Sequence, residues 1–126
     1  MVSYNILQVI YLKKKKKMAN NYKFKAVALA TGSETALLTA GSSETLIVKS
    51  IIVTNNTSNT PTISLDVLDS SASLEITILK THTLEANKSG EVFHTSPLVL
   101  EASDSLKATI SSSDSIHIGI TFMSVT

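Results

Sequence analysis

The chain has 126 residues, of which 43% are hydrophobic and 5% aromatic, with no Trp and no Cys. This length suffices for one domain with a modest core, and the composition excludes disulfides and thiolate metal sites and argues against a ligand platform of stacked aromatic rings. The net charge of +1 hides a basic run at 13–17, because residues 18–126 carry six Lys, no Arg and ten Asp and Glu, a mildly acidic balance that argues against nucleic-acid binding.

Residues 1–17 are predicted to lie outside the folded domain. The apolar stretch Val2–Leu12 is too short to span a membrane, and it precedes the basic run, the reverse of a secretory signal. Five successive Lys favour a disordered segment. Either this segment is a wrongly included leader ahead of a true start at Met18, or it is a basic arm that touches a membrane or nucleic acid. We expect the first, with one domain over residues 18–126 and neither of those partners.

From Tyr22 onward, apolar and polar residues alternate, and turn residues interrupt the pattern roughly every 8–12 residues. No segment has the helical period. The pattern predicts an all-β fold, an antiparallel β-sandwich of about nine strands in a jelly-roll-like arrangement. The predicted strands are Tyr22–Ala30, Glu34–Thr39, Glu44–Asn55, 61–67, Leu74–Leu84, Glu91–Thr95, Pro97–Glu101, 106–110 and Ile116–Phe122.

One apolar face of each strand is predicted to be buried between two sheets. Each buried Ile, Leu or Val contributes about 1.5–3 kcal/mol to this layer. The predicted core consists of Val27, Leu46, Val48, Ile52, Ile63, Leu65, Val67, Ile76, Ile78, Leu98, Leu100, Leu106, Ile110, Ile118, Ile120 and Phe122.

The stretch Leu46–Val53 is apolar on both faces except at Lys49 and Ser50. Its β-branched residues favour a strand over a helix. A strand that is apolar on both faces is either covered by layers of its own domain or lies at a contact between subunits. The candidate subunit-contact residues are Ile47, Lys49, Ile51 and Val53.

Metal ligation is not expected. Metal sites need converging ligands, and no two His are spaced i, i+2 or i, i+4. The Asp residues at the ends of predicted strands could offer oxygen ligands to calcium, but their spacing is that of ordinary turns. The candidates considered are His82, His94 and His117, and Asp66, Asp69, Asp104 and Asp114.

Catalysis is not expected either. The sequence has no G-x-S-x-G motif and no phosphate-binding glycine loop. Two carboxylate pairs, Asp66 with Asp69 and Glu85 with Glu91, have nothing in the sequence that marks them as buried pairs. We therefore predict no catalytic residues, no cofactor and no enzymatic activity.

Four segments resemble a family of small all-β virion proteins from tailed phages of the marine type. They are Ile47–Asn55, Leu65–Ser70, Leu84–Ser89 and Leu98–Ala108, and the resemblance extends over about residues 20–126. Within the last segment the family usually has Gly where this chain has Ser103, a difference that concerns the turn type. These motifs describe strands and turns, so the resemblance transfers no site residues.

The resemblance implies a non-enzymatic virion protein on the capsid, neck or tail. Such a protein acts by assembling with copies of itself and by docking to another virion protein. Short Ser and Thr side chains lose little entropy when ordered, which suits closely packed assemblies. The alternative is a module that binds a glycan or a host receptor through loops such as Asn55–Thr60 and Ala86–Gly90. The sparse aromatic residues argue against that alternative.

Overall fold

A computed structural model describes residues 20–93 and 97–126. The predicted leader at 1–17 and His94 lie outside the described residues. All nine elements are strands, as predicted, and no helix in this part of the chain could cross a membrane. The strands are β1 (Asn20–Leu29), β2 (Thr35–Thr39), β3 (Thr45–Asn55), β4 (Thr62–Asp69), β5 (Leu74–Thr83), β6 (Ser89–Phe93), β7 (Leu98–Leu100), β8 (Ser105–Ile110) and β9 (Ile116–Val125).

The strands form two antiparallel sheets with jelly-roll topology. The front sheet has the order β1-β9-β3, with β6 and β7 both paired to β3 along its other side, and the back sheet has the order β2-β8-β4-β5. The pairs are nested in sequence, because β4 pairs with β5, β3 with β6 and β7, β2 with β8, and β1 with β9. The chain is thus one long folded hairpin wrapped into two layers, which confirms the predicted fold class.

The core lies between the sheets. Most of the predicted core is buried there, while Val27, Ile78 and Leu98 are partly buried at its margin. The core also contains residues outside the predicted set: Leu29, Leu37, Leu38, Ala40, Ile51, Val53, Leu84, Ala108 and Ile116.

The prediction that Ile52 belongs to the core is wrong, and a β-bulge in β3 is the reason. The pairing of β3 with β9 shifts between Val48 and Ser50, so one extra residue is inserted into β3. An inserted residue reverses which later side chains face inward. Beyond the bulge Ile51 is therefore buried, and Ile52 is exposed on the outer face.

The prediction for Ile76 is also wrong, for a different reason. Ile76 pairs with the buried Val67, but it lies on β5, which is an edge strand of the back sheet. An edge strand has a neighbour on one side only, and Ile76 stays 49% exposed. Periodicity reports the face on which a residue lies but not its distance from the sheet edge.

The turn between β7 and β8 holds its third residue in the left-handed region. Asp104 N–H donates to the carbonyl of Glu101 at 3.0 Å, and Ser103 has a φ of 69°. A side chain is strained there and Gly is not, so Ser103→Gly should raise the free energy of unfolding by about 0.5–1 kcal/mol. Urea denaturation would measure this, with the exposed Ser113→Gly as the control that should not stabilise. An unchanged or lower stability for Ser103→Gly would contradict the assignment of strain.

Candidate assembly surface

The outer face of the front sheet carries a continuous apolar row. Cross-strand pairing places Tyr22 beside Met123, Met123 beside Ile47, and Ile47 beside Val99, so the row crosses four strands. Directly paired residues share one side of a sheet. We call this surface the apolar face, and define it by Tyr22, Phe24, Ala26, Ile47, Ile52, Val99, Gly119 and Met123.

A shallow hollow lies within the apolar face beside the ring of Phe24. A Cβ atom at Gly119 would lie 2.8 Å from Phe24 Cζ, so the ring covers the glycine at close range. The hollow has a volume of about 250 Å³, and Phe24, Ile52 and Gly119 contribute to its lining. Its apolar walls can accept an apolar side chain from another molecule.

Large hydrophobic side chains on this face are well exposed. Tyr22 is 73% exposed, Phe24 66%, Val99 50% and Ile52 45%. Scattered exposed hydrophobic residues are ordinary, but a contiguous group of them marks an interaction surface. The apolar face is therefore the candidate functional site.

The outer face of the back sheet is polar instead. Lys107 Nζ lies 3.2 Å from a carboxylate oxygen of Glu75 and 3.5 Å from one of Glu34, and Asp66 pairs with Lys107 across the strands. Carboxylate oxygens of Glu34, Asp66 and Glu75 lie within 4.8 Å of one another, a spacing that could hold a cation. The Lys107 ammonium already compensates part of this charge. Its hydrogen bond and attraction to Glu75, with the charge of Glu34, raise the pKa of Lys107 despite desolvation, so it stays protonated at neutral pH.

The four residues predicted for a subunit contact divide between the two faces of β3. Ile47 is half-buried on the apolar face, and Lys49 is exposed at the bulge. Ile51 and Val53 lie in the core, again because the bulge reverses the alternation. The subunit contact itself remains a prediction, and the residues that face outward to make it are Ile47, Lys49 and Ile52.

Sequence reasoning missed Tyr22 and Phe24 as members of this surface. The stretch from Tyr22 to Lys25 alternates aromatic residues with Lys, which separates the two faces of the strand. That alternation could have identified the pair as one unit. It does not say which face points away from the core, and here the aromatic side points outward.

The metal candidates are dispersed. His82 is exposed on β5 of the back sheet, and His117 is exposed on β9 of the front sheet. Of the four Asp residues, Asp66 faces Lys107, and the other three accept hydrogen bonds in turns: Asp69 from Ser71 and the Ala72 N–H, Asp104 from the Ser70 and Glu101 N–H groups, and Asp114 from Asn59 and Ser112.

A hydrogen-bond network around Asn55 connects the loops at one end of the sandwich. Asn55 Nδ2 donates to the carbonyl oxygens of Asn59 at 2.8 Å, Glu85 at 3.2 Å and Leu84 at 3.4 Å. Its Oδ1 accepts from the N–H and hydroxyl of Thr57. The side chain is buried, and each polar atom has partners. One amide thus fixes the β3–β4 loop against the β5–β6 loop.

The β5–β6 loop, which this hydrogen-bond network fixes, borders a second cavity between β5 and β6. The cavity has a volume of about 320 Å³, and its lining includes His82, Glu85, Lys88 and Glu91. Lys88 Nζ lies 2.9 Å from Glu85 at the surface. The cavity is near the lower limit of size for ligand sites, and charged side chains provide much of its rim.

At the same end of the molecule, the Asp114 carboxylate is expected to make a contribution to stability that is lost in acid. Asp114 accepts hydrogen bonds from Ser112 and Asn59, and these lower its pKa below the ordinary 3.8. A carboxylate with a depressed pKa stabilises the fold above the unfolded-state pKa, and this contribution disappears as pH falls through the folded-state pKa. Asp114→Asn should therefore lower the urea midpoint at pH 7, and the difference from wild type should shrink below about pH 4.

A charge control makes this measurement specific. Glu101→Gln removes an exposed carboxylate of the β7–β8 turn and should leave the pH profile close to that of wild type. A difference between wild type and Asp114→Asn that stayed constant from pH 7 to pH 3 would contradict the role of ionised Asp114.

Comparison with known proteins shows similarity in fold. No protein-family model and no curated protein matches the chain. A structure from the infectious bursal disease virus Gx strain matches with a TM-score of 0.51 and 11% identity, over 85% of this chain and 32% of that chain. The chain thus spans about a third of that viral chain, and the match shows a common fold.

Two further structures have lower similarity. The Drosophila NLP-core, a structure that gives insight into pentamer formation and histone binding, has a TM-score of 0.47 and 13% identity, over 82% of this chain and 98% of that chain. A chain of the cyanophage Pam1 capsid asymmetric unit has a TM-score of 0.44 and 14% identity, over 84% of this chain and 85% of that chain.

Proposed function

We propose that the chain is a non-enzymatic structural component of a virus particle, of the tailed-phage type that its motifs resemble. It acts by binding copies of itself and by docking to a neighbouring particle protein. The observation that carries the proposal is the apolar face, an uncovered and continuous apolar row on a rigid sheet. Such a surface can bind another protein by burying apolar area, which requires no catalytic residue.

The fold and the sequence support this proposal from separate directions. A jelly roll of this kind also occurs in the matched chain from a virus, at a TM-score of 0.51. The four segments that resemble tailed-phage virion proteins include Ile47–Asn55, which forms most of β3 and crosses the apolar face. On this basis we propose a virion location, as a capsid decoration, neck or tail component.

Mass spectrometry of purified particles from the natural lysate tests the proposal. We expect peptides of residues 20–126 in the particle fraction, at a constant ratio to the other structural proteins and resistant to washing with high salt. Immunogold labelling of the particles should then show where the protein is. Recovery of the protein only in the soluble fraction would contradict a structural role.

The cavity between β5 and β6 favours a second function, binding of a glycan or host receptor. Its rim offers carboxylates, an ammonium group and backbone groups, which suit a ligand rich in hydroxyl groups. A glycan array would test this function, with Glu91→Gln as the variant that should weaken binding and Glu101→Gln as the control. Absence of binding on the array and in cell adsorption would exclude it.

A further inference from the structure

We infer that copies of this chain associate face to face through the apolar face, with the sheet edges left unpaired. The partner is a second copy of the same chain. The inference rests on the proposed function, since it specifies how self-assembly occurs. The edges of the sheets, the area of the outer face and its charges support this contact.

The long edge strand β1 is protected against pairing with another strand. Its Lys23 and Lys25 lie on the core side of the sheet, since they pair with Phe122 and Ile120, yet both are exposed. The sheet therefore overhangs at this edge. Charged side chains on the inward side of an edge strand oppose strand addition, because another strand would have to cover them.

The other edges are protected by shape. In the back sheet, β2 has five residues and a register shift, and the pairing of β5 with β4 shifts register at two places. The far side of the front sheet is divided between β6 and β7, of five and three residues. Short or irregular edges pair poorly with a new strand. Association through extended sheets is thus disfavoured at every edge that the structure describes.

The outer face of the front sheet, with the apolar face at its centre, has the area that a stable contact needs. It is four strands wide and, along β1 and β9, ten residues long. With strands about 4.8 Å apart and residues about 3.3 Å apart, each face covers roughly 600 Å², so two copies would bury roughly 1,200 Å². That value reaches the lower limit of standard specific interfaces.

Two opposite charges lie near Ile52 and suit a two-fold contact. Glu91 pairs with Ile52 on the outer face, and Lys49 lies three residues before Ile52, at the bulge. In an isologous dimer, a residue i of the first copy that contacts residue j of the second implies the reverse contact, between residue j of the first copy and residue i of the second. A two-fold axis that lies in the interface and passes near Ser50 and Ile52 would bring Lys49 of one copy towards Glu91 of the other.

The test measures the dissociation constant of the full chain by sedimentation equilibrium. Ile52→Lys places a charge in the middle of the apolar face and should raise the dissociation constant at least tenfold. Ile76→Lys is the matched control, since Ile76 on β5 is 49% exposed against 45% for Ile52. It should leave association unchanged. Val99→Lys, at a residue 50% exposed on β7, is a second variant in case Ile52→Lys reduces folding.

A charge exchange tests the orientation. Lys49→Glu and Glu91→Lys should each weaken association several-fold, and the double variant should recover most of the loss. Circular dichroism and thermal midpoints close to wild type would establish that all variants are folded. Failure of the double variant to recover would overturn the two-fold arrangement.

The remaining outcomes separate this inference from the proposed function. Association that Ile76→Lys breaks, and that Ile52→Lys and Val99→Lys leave intact, overturns the face-to-face contact and leaves a structural role standing. A folded chain that stays monomeric at millimolar concentration also overturns the contact. Detection of the protein in purified particles decides the proposed function independently.

Discussion

Replacing Ile118 with Ala is expected to lower the free energy of unfolding by about 2–5 kcal/mol. Ile118 is 1% exposed on β9, between its partners Val27 on β1 and Val53 on β3. Truncation removes buried methyl and methylene groups and leaves a cavity that a central strand cannot close, because both neighbouring strands hold it in register. Urea denaturation monitored by circular dichroism would measure the change.

The same change at an exposed position provides the control. Ile76→Ala removes the same atoms from the edge strand β5, where the side chain is 49% exposed, and should cost well under half as much. Leu65→Ala, at a fully buried residue of the back sheet, should again cost about 2–5 kcal/mol. If neither Ile118→Ala nor Leu65→Ala lowered the midpoint, the core described here would be wrong.

Replacing Asn55 with Asp is expected to cost about 3–5 kcal/mol at pH 7. The shape of the side chain is preserved, but an oxygen replaces the nitrogen that donates to the carbonyls of Asn59, Leu84 and Glu85. A buried negative charge then faces three partial negative charges without a donor between them. The substitution costs more than deleting the side chain, because the buried carboxylate adds desolvation and repulsion to the loss of the donor that the three carbonyls share.

The neighbouring residue separates this effect from an ordinary change of charge. Asn56 is exposed, and its backbone N–H donates to the carbonyl of Ser115, so Asn56→Asp keeps that bond and should change stability by less than about 0.5 kcal/mol. The deficit of Asn55→Asp should also narrow as pH falls from 7 to about 4, because burial beside three carbonyls raises the pKa of the introduced carboxyl and its protonated form can donate. Equal urea midpoints for the two variants at pH 7 would contradict a stabilising role of the Asn55 hydrogen-bond network.

The sequence was sufficient to predict most strands, because alternation and turn residues are local properties. In β4, β8 and β9 the apolar residues at every second position are those that the structure buries. In β3 the same reasoning failed beyond Val48, because the bulge depends on how β9 pairs with the strand and no local residue marks it. In β5 it failed because the position of a strand within a sheet is set by topology.

The candidate site was harder to predict than the fold. Alternation divides Tyr22 and Phe24 from Lys23 and Lys25, but it treats the two faces of a strand alike. Aromatic residues favour the inside on average, and the overhanging edge of the front sheet reverses that preference here. The Asn55 hydrogen-bond network could not be predicted from local sequence either, since its acceptor carbonyls at Leu84 and Glu85 lie 29 and 30 residues further along the chain.

The pairing of β1 with β9 has a consequence for synthesis in the cell. Asn20 is paired with Val125, so β1 is synthesised long before the strand that supplies its hydrogen-bond partners. Contacts that join distant parts of a chain form slowly, since loop closure must precede any gain. The nascent chain must therefore keep Tyr22 and Phe24 from premature association until β9 has been synthesised, and the lysines interleaved with them help to keep that waiting segment in water.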